Sequence, residues 1–288
     1  TVSNAVRGPE LGIYPTDTPI DIYANLETTS YALFAQGNYH FNDQLGLTGA
    51  IRWSKDKKDV THSSVGDPFS LLLATSPERT ISREDSEWTP SASLNWTPTD
   101  DTLIYASYSR GYKSGGYNAF SITATDDAEY APEFVNNYEV GAKSSFADGK
   151  FYIAAAAFLL KYRDLQVNQL INVGGVPSFT TSNAAKAESW GIELEASWSP
   201  VEQLRLGAAY GYLDGEFKDF QNATSAGADY TGNTLTEAPK HTLSVNGDFR
   251  QPLSSEIDFV AHADMSYRSS LFFSASNDPD YTQDDVAL

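Results

Sequence analysis

The sequence predicts an all-β fold, an antiparallel up-and-down β-barrel that crosses a membrane, with about ten strands in this chain. Three observations carry that reading. Apolar and polar residues alternate with period 2 over segments of roughly 11 to 19 residues, whereas soluble strands usually run about 5 to 6. The segments are joined alternately by tight turns and long polar connections, with one tight turn about every 50 residues. Finally, Trp88 and Trp96, and again Trp190 and Trp198, stand eight residues apart. Even spacing puts each pair on one face, separated by roughly 26 Å of strand. That approaches the apolar band of an outer-membrane barrel with an aromatic at each interface.

Residues 1 to 27, rich in Pro, Asp, Thr and Gly, read as a loop. Tyr31, Leu33, Ala35, Gly37 and Tyr39 then alternate with Ala32, Phe34, Gln36, Asn38 and His40. After a turn at Asn42-Asp43, Leu45, Leu47, Gly49, Ile51 and Trp53 alternate with Gly46, Thr48, Ala50, Arg52 and Ser54. This is a hairpin. Its counterparts are expected over 86–97 with 102–111, 134–146 with 150–168, 186–199 with 203–213, and 239–251 with 256–272. Tight turns fall near 43, 100, 148, 201 and 254. Long loops are expected near 57–83, 113–133, 170–185, 214–238 and 273–288. The turns are assigned to the periplasmic side and the loops to the outside. Strand 186–199 shows the faces most clearly, with Trp190, Ile192, Leu194, Ala196 and Trp198 opposed to Gly191, Glu193, Glu195 and Ser197. Strand 102–110 has aromatics on both faces and 150–163 is apolar on both, so the pattern orients neither. A soluble sandwich would alternate too, but predicts no ring of Trp and Tyr facing lipid.

Composition narrows the function. Nineteen Lys and Arg against 38 Asp and Glu give a net charge of -19, which repels nucleic acid. Cysteine is absent, so neither disulfides nor thiolate metal sites form. No apolar run reaches the 18 residues of a membrane helix. The start, Thr1-Val2-Ser3-Asn4, lacks the basic and apolar parts of a signal peptide, as expected of a mature chain or an internal segment.

The stretch Leu103–Phe120, LIYASYSRGYKSGGYNAF, runs from a strand into a glycine- and tyrosine-rich rim. Together with YEVGAKSSFADGKFYIAAAAFLLKYRDLQV (138–167), ESWGIELEASWSP (188–200) and APKHTLSVNGDFRQPL (238–253), it resembles the downstream barrel of the TonB-dependent outer-membrane receptors. The resemblance implies a 22-strand barrel in the bacterial outer membrane, filled by an N-terminal plug that touches an inner-membrane, TonB-type coupling complex. No plug-like sequence and no coupling segment (TonB box) is found here, so the chain is expected to be a partial barrel. Its implied partners are the plug, the remaining strands, the coupling complex, outer-membrane lipid and a scarce solute. A ferric siderophore is the favoured solute, with haem, cobalamin, a nickel chelate and oligosaccharide as alternatives. No enzyme activity and no resident cofactor or metal is implied.

Arg110, Tyr112, Lys113, Tyr117, Asn118 and Phe120 are the candidate ligand contacts, because Arg and Lys suit carboxylate or catecholate oxygens and Tyr offers a flat face with a hydroxyl. The competing reading is that this stretch only shapes the strand end. Trp53, Trp88, Trp96, Trp190 and Trp198 are assigned to the membrane interfaces. Acidic loop residues (Asp126, Asp127 and Glu129; Asp214, Glu216 and Asp219; Asp278, Asp280, Asp284 and Asp285) could gather a calcium ion, though none matches an EF-hand. A ten-strand outer-membrane protease would need an Asp–His face, and His262 and Asp264 share one, about 7 Å apart along the strand.

Overall fold

The computed structural model describes residues 2–6, 20–65, 76–118, 129–173, 176–221, 223 and 227–288. Phe120, Asp126 and Asp127 lie outside them. The strands are β1 (Val2–Val6), β2 (Ile20–His40), β3 (Leu45–Val65), β4 (Ser76–Thr99), β5 (Thr102–Lys113), β6 (Gly116–Tyr117), β7 (Glu129–Tyr130) and β8 (Glu133–Phe146). They continue as β9 (Phe151–Val173), β10 (Val176–Val201), β11 (Leu204–Asp219), β12 (His241–Pro252) and β13 (Asp258–Arg268). Four short segments close the chain: β14 (Leu271–Phe272), a 3-10 turn at Pro279–Tyr281, β15 (Thr282–Gln283) and β16 (Val286–Ala287). Twelve strands form one antiparallel sheet in the order β1-β2-β3-β4-β5-β8-β9-β10-β11-β12-β13-β16. Ten of these are long, and every neighbour in the sheet is a neighbour in the main run of the chain, as an up-and-down barrel wall requires.

Paired residues of an antiparallel ladder project from the same side. The ladder therefore assembles a continuous apolar face from Leu33, Trp53, Trp88, Leu94 and Trp96 through Ile104, Val140 and Ala155 to Leu194, Tyr210, Leu243 and Met265. The opposite face carries Arg52, Ser93, Asn95, Tyr105, Glu139, Lys143, Glu193, Glu195, Asp248 and Asp264. Register also orients the two ambiguous strands. Trp96 pairs with Ile104 and Leu94 with Ala106, so β5 turns Ile104, Ala106 and Tyr108 to the apolar side. Ala142 pairs with Ala155 and Ala157 with Ile192, so β9 turns Ile153, Ala155, Ala157 and Leu159 the same way.

The tight turns lie at one end. At Phe41–Gln44 the Asn42 side chain accepts from the Gln44 and Leu45 amides at 2.9 and 2.8 Å, an Asx-type turn. At Ala147-Asp148-Gly149 all three residues adopt positive φ (53°, 56° and 79°), a reversal that glycine completes without Cβ strain.

At the other end the structure corrects the sequence reading. The expected loop over residues 1–27 contains β1 and the first residues of β2. The expected loops over 57–83 and 170–185 are mostly strand, since β3 reaches Val65, β4 begins at Ser76, β9 reaches Val173 and β10 begins at Val176. In β2, β3 and β4 the cause is that both sides of the extensions are largely polar, whereas near 170–179 Leu170, Ile171, Val173, Val176 and Phe179 follow no period-2 pattern. Asn25, Glu27, Thr28, Thr29 and Ser30, for example, show no alternation, yet the backbone ladder continues regardless of side chain. Beyond Trp53, β3 runs twelve more residues, roughly 40 Å of strand.

The connection from β11 to β12 folds back onto the polar face. Phe217 and fully buried Phe220 pack with Ala185, Ala187 and Ala223, flanked by Tyr162, Tyr230 and Leu235. Asn277 fixes this loop to the one after β14, accepting from Thr234 N at 2.7 Å and donating to Thr234 O at 2.9 Å.

Candidate functional site

The rim stretch follows from a divergence of strands. The β4–β5 ladder ends at Ser91–Ser109, while β5–β8 continues to Lys113–Glu133. β5 thus leaves β4 in its last turn and carries residues 110–118 along the open end of the polar face. Arg110 lies in the gap, its guanidinium 4.6 Å from the centre of the Phe134 ring and 3.7 Å from Glu87. The Tyr112 hydroxyl donates to Asp56 at 3.1 Å.

Residues 114–118 and 129–131 form a short belt, paired as β6 and β7, and it is fastened on both sides. On the β3–β4 side, the Gly115 amide donates to Asp85 Oδ2 at 3.1 Å, and Lys58 Nζ donates to Gly115 O at 2.6 Å. Asp85 is 8% exposed and accepts two further bonds from Arg83, at 2.9 and 2.8 Å. The remaining arm of Arg83 reaches Glu129 at 3.2 Å. The bond to Asp85 first, and the nearby carboxylates after it, hold Arg83 above its already high ordinary pKa. On the β9–β10 side, Asn118 exchanges two bonds with the Thr181 backbone (2.8 and 2.7 Å). Gln166 donates to Ser114 O and Ala131 O, and Asn183 bonds Ala131 in both directions and also donates to Asp164 O. The belt is therefore a clasp across two extended hairpins. Its glycines answer to close approach: a Cβ at Gly115 would collide with Tyr130 O and Arg83, and one at Gly116 with the Tyr130 ring. The Tyr117 hydroxyl is buried without a hydrogen-bond partner among the described residues. Burial, then Glu129, pushes its pKa up to about 12, so it stays a neutral phenol through the physiological range.

Of the expected ligand contacts, Arg110 and Tyr112 meet carboxylates, Tyr117 and Asn118 sit in the belt, and Lys113 is exposed. Asp85, Arg83, Lys58, Gln166 and Asn183 are residues that sequence reasoning missed. They lie in polar strand extensions, and nothing in their spacing distinguishes them from surface polar residues.

Below the belt the polar face forms an open recess of about 650 Å³, whose lining includes Tyr105, Glu139, Lys143, Glu193 and Glu195. Tyr105 donates to Glu139 at 2.5 Å. Further toward the turns, His262 lies 2.7 Å from Asp248 and 3.4 Å from Asp264. The 7 Å spacing along the strand did not keep these side chains apart, because His262 leans toward both carboxylates. Among the acidic loop residues, Asp214, Glu216 and Asp219 pair with Lys240, Lys218 and Lys186. Asp278 caps the 3-10 turn, and Asp285 accepts from Ser270 N and Tyr267. Among the described residues no group of three or more His, Asp or Glu is arranged to hold a metal ion.

A long antiparallel wall with one apolar and one polar face, tight turns at one end and inward-folded loops at the other defines part of an outer-membrane receptor barrel. Residues 3–287 match the family model described as TonB dependent receptor-like, beta-barrel, and the chain belongs to that family. It is 30% identical over 229 residues to the pesticin receptor of Yersinia pestis, covering 78% of this chain and 31% of that protein. It is 28% identical over 228 residues to the metal-pseudopaline receptor of Pseudomonas aeruginosa, covering 78% and 29%. Its fold matches the ferric yersiniabactin uptake receptor of Yersinia pestis with a TM-score of 0.80 at 21% identity, covering 99% of this chain and 40% of that one. The chain thus spans about a third of the length of these curated relatives. The barrel is not closed by the described strands, whose outermost members are β1 and β16. The family places the protein in the outer membrane of Gram-negative bacteria.

Proposed function

We propose that this chain is the downstream barrel wall of a receptor that imports a scarce metal chelate, in first place a ferric siderophore, driven by a TonB-type coupling complex acting through a plug. The observation that carries this is the match of this wall to the TonB-dependent receptor barrel family, together with its likeness to two receptors named for a metal chelate, the metal-pseudopaline receptor and the ferric yersiniabactin uptake receptor. The polar face, with the recess at Glu139, Glu193 and Glu195, is where a plug would bear against this wall. The apolar face meets lipid. Trp53, Trp88 and Trp190 mark one interface, with Tyr108, Tyr138 and Tyr212 in the same band, and Trp96 and Trp198 mark the other. Tight turns then lie in the periplasm and the clasp outside. No bond-making chemistry belongs to this wall; its work is binding and gating.

The test is iron delivery. Deleting the gene should abolish uptake of radioactive iron from at least one ferric siderophore in iron-starved cells, and dissipating the proton gradient should have the same effect. Unchanged uptake of every siderophore the cells use, with growth lost on an oligosaccharide instead, would contradict the proposal.

A further inference from the structure

The side of the wall that meets lipid, on the reading proposed above, continues past the tryptophan band. Leu159 pairs with Tyr138 and Trp190 at that level. The same side of β9 then carries Lys161 and Arg163, about 7 and 13 Å further along the strand. Alternation fixes them there, because Tyr162, between them, packs on the other side against the core of the folded-back loop. Lys161 stands opposite Asn136, Asn136 opposite Arg110, and Arg163 opposite Phe134. The Tyr108 hydroxyl donates to Asn136 Oδ1 at 2.9 Å, so this row begins directly above the interface tyrosines. Arg110, Lys161 and Arg163 thus surround one asparagine and one phenyl ring. The guanidinium of Arg163 lies 5.6 Å from the centre of the Phe134 ring, and that of Arg110 4.6 Å. Their charge is only partly met. Among the described residues no carboxylate pairs with exposed Arg163. Lys161 is 3.4 Å from Glu188 and Arg110 is 3.7 Å from Glu87, both longer than the about 2.7–2.9 Å of a charge-assisted hydrogen bond. Beyond β9 the row turns acidic with Glu188 and Glu216, which bounds the basic group.

We propose that Lys161, Arg163 and Arg110 form a binding site for a phosphate of the lipopolysaccharide headgroup in the outer leaflet, with the Asn136 amide group as a further donor. Three features carry this. The group is continuous with the lipid-facing side and lies just beyond its aromatic belt, at headgroup depth. Its charge complements phosphate, and the planar fork of arginine matches phosphate oxygens in pairs. Exposed ion pairs as long as those to Glu188 and Glu87 contribute little, so a phosphate takes their place at small cost. Asn136 accepts from Tyr108 through its oxygen, which leaves its nitrogen to donate.

The test titrates delipidated full-length protein in detergent, by native mass spectrometry, with lipopolysaccharide carrying a phosphorylated lipid A. The same lipid stripped of its phosphates, and inorganic phosphate alone, are run beside it. The phosphorylated lipid should bind about tenfold or more tightly than the stripped one, and inorganic phosphate at equal concentration should not displace it. Lys161→Gln with Arg163→Gln should remove the preference, and Lys161→Arg with Arg163→Lys should keep it. Lys150→Gln, in a tight turn at the opposite end, should leave it unchanged. Equal binding of the two lipids to the unaltered protein would overturn the inference. So would a preference that survives the double Gln change, or displacement by inorganic phosphate. Lys161→Cys and Arg163→Cys, probed in membranes with a headgroup-borne quencher, separate this inference from the reading it rests on. Quenching without any phosphate preference sinks the site alone, whereas no quenching at either position would count against the lipid-facing orientation of the wall.

Discussion

Asp85→Ala is expected to open the clasp while leaving the barrel wall in place. One carboxylate receives the Gly115 amide and two arms of Arg83. Its removal takes from a largely buried guanidinium its two shorter bonds, leaving only Glu129 at 3.2 Å, and strands a belt amide. Breaking one partner of a buried ion pair costs about 3–5 kcal/mol, and that loss falls on a short belt with little apolar packing of its own, so the belt should open locally. Nothing below Trp88 depends on Asp85, so insertion and yield in the outer membrane should hold. The check is hydrogen exchange or limited proteolysis of full-length protein in outer-membrane vesicles, read at residues 114–118 and 129–131. Exchange should rise there by about a hundredfold or more, with the β8–β9 ladder unchanged. Belt protection equal to that of the unaltered protein would mean that the β9–β10 side, through Gln166, Asn118 and Asn183, holds the belt alone.

The second large effect belongs to the membrane band. Leu194 lies midway between Trp190 and Trp198, is 43% exposed and pairs with Ala155 and Tyr210 on the apolar face. Leu194→Arg puts a cation near the centre of the lipid, at about 2–4 kcal/mol. Its neighbour Glu195 faces the other way, beside the recess, and Glu195→Gln should be tolerated. Unfolding in detergent or lipid, followed by the heat-dependent gel mobility typical of folded barrels, separates the two. Equal effects at 194 and 195 would contradict the assignment of faces.

The parts of the fold that were legible in the sequence are those where one face is apolar. Between Trp190 and Trp198 every second residue obeys a burial requirement, and the period shows. It fails in two situations. In β9 the polar-side residues Ala154, Ala156 and Phe158 are also apolar, because their ladder partners Lys143 and Glu195, Glu193, and Glu139 supply the charge on that side. Only register resolves that strand. Above the tryptophan band both sides of β3 and β4 are largely polar, and β9 and β10 near 170–179 mix apolar and polar residues without alternation, so these segments read as loop. The passage from β5 into residues 114–118 was visible in the sequence as a strand end, but what fastens it was not. Gly115 and Gly116 suggested a turn, whereas they permit close approach to Arg83 and Tyr130. Asp85 acts through the backbone of a residue thirty positions away, and such a contact leaves no local mark. The inward fold of the β11–β12 loop did leave one, in Phe217 and Phe220 within an otherwise polar stretch.

The central claim is that one face of this sheet meets lipid and the other an aqueous lumen. Cysteine is absent from these 288 residues, so single cysteines can be placed along β10 from Gly191 to Ser197 of the full-length protein, with any cysteine elsewhere in it replaced by serine. Each would be tested in intact outer membrane with a water-soluble maleimide and a lipid-borne quencher. The account predicts strict alternation: 192, 194 and 196 protected from the maleimide and close to the quencher, and 191, 193, 195 and 197 showing no quenching by the lipid-borne probe. Quenching at the odd positions, or uniform labelling along the strand, would contradict it.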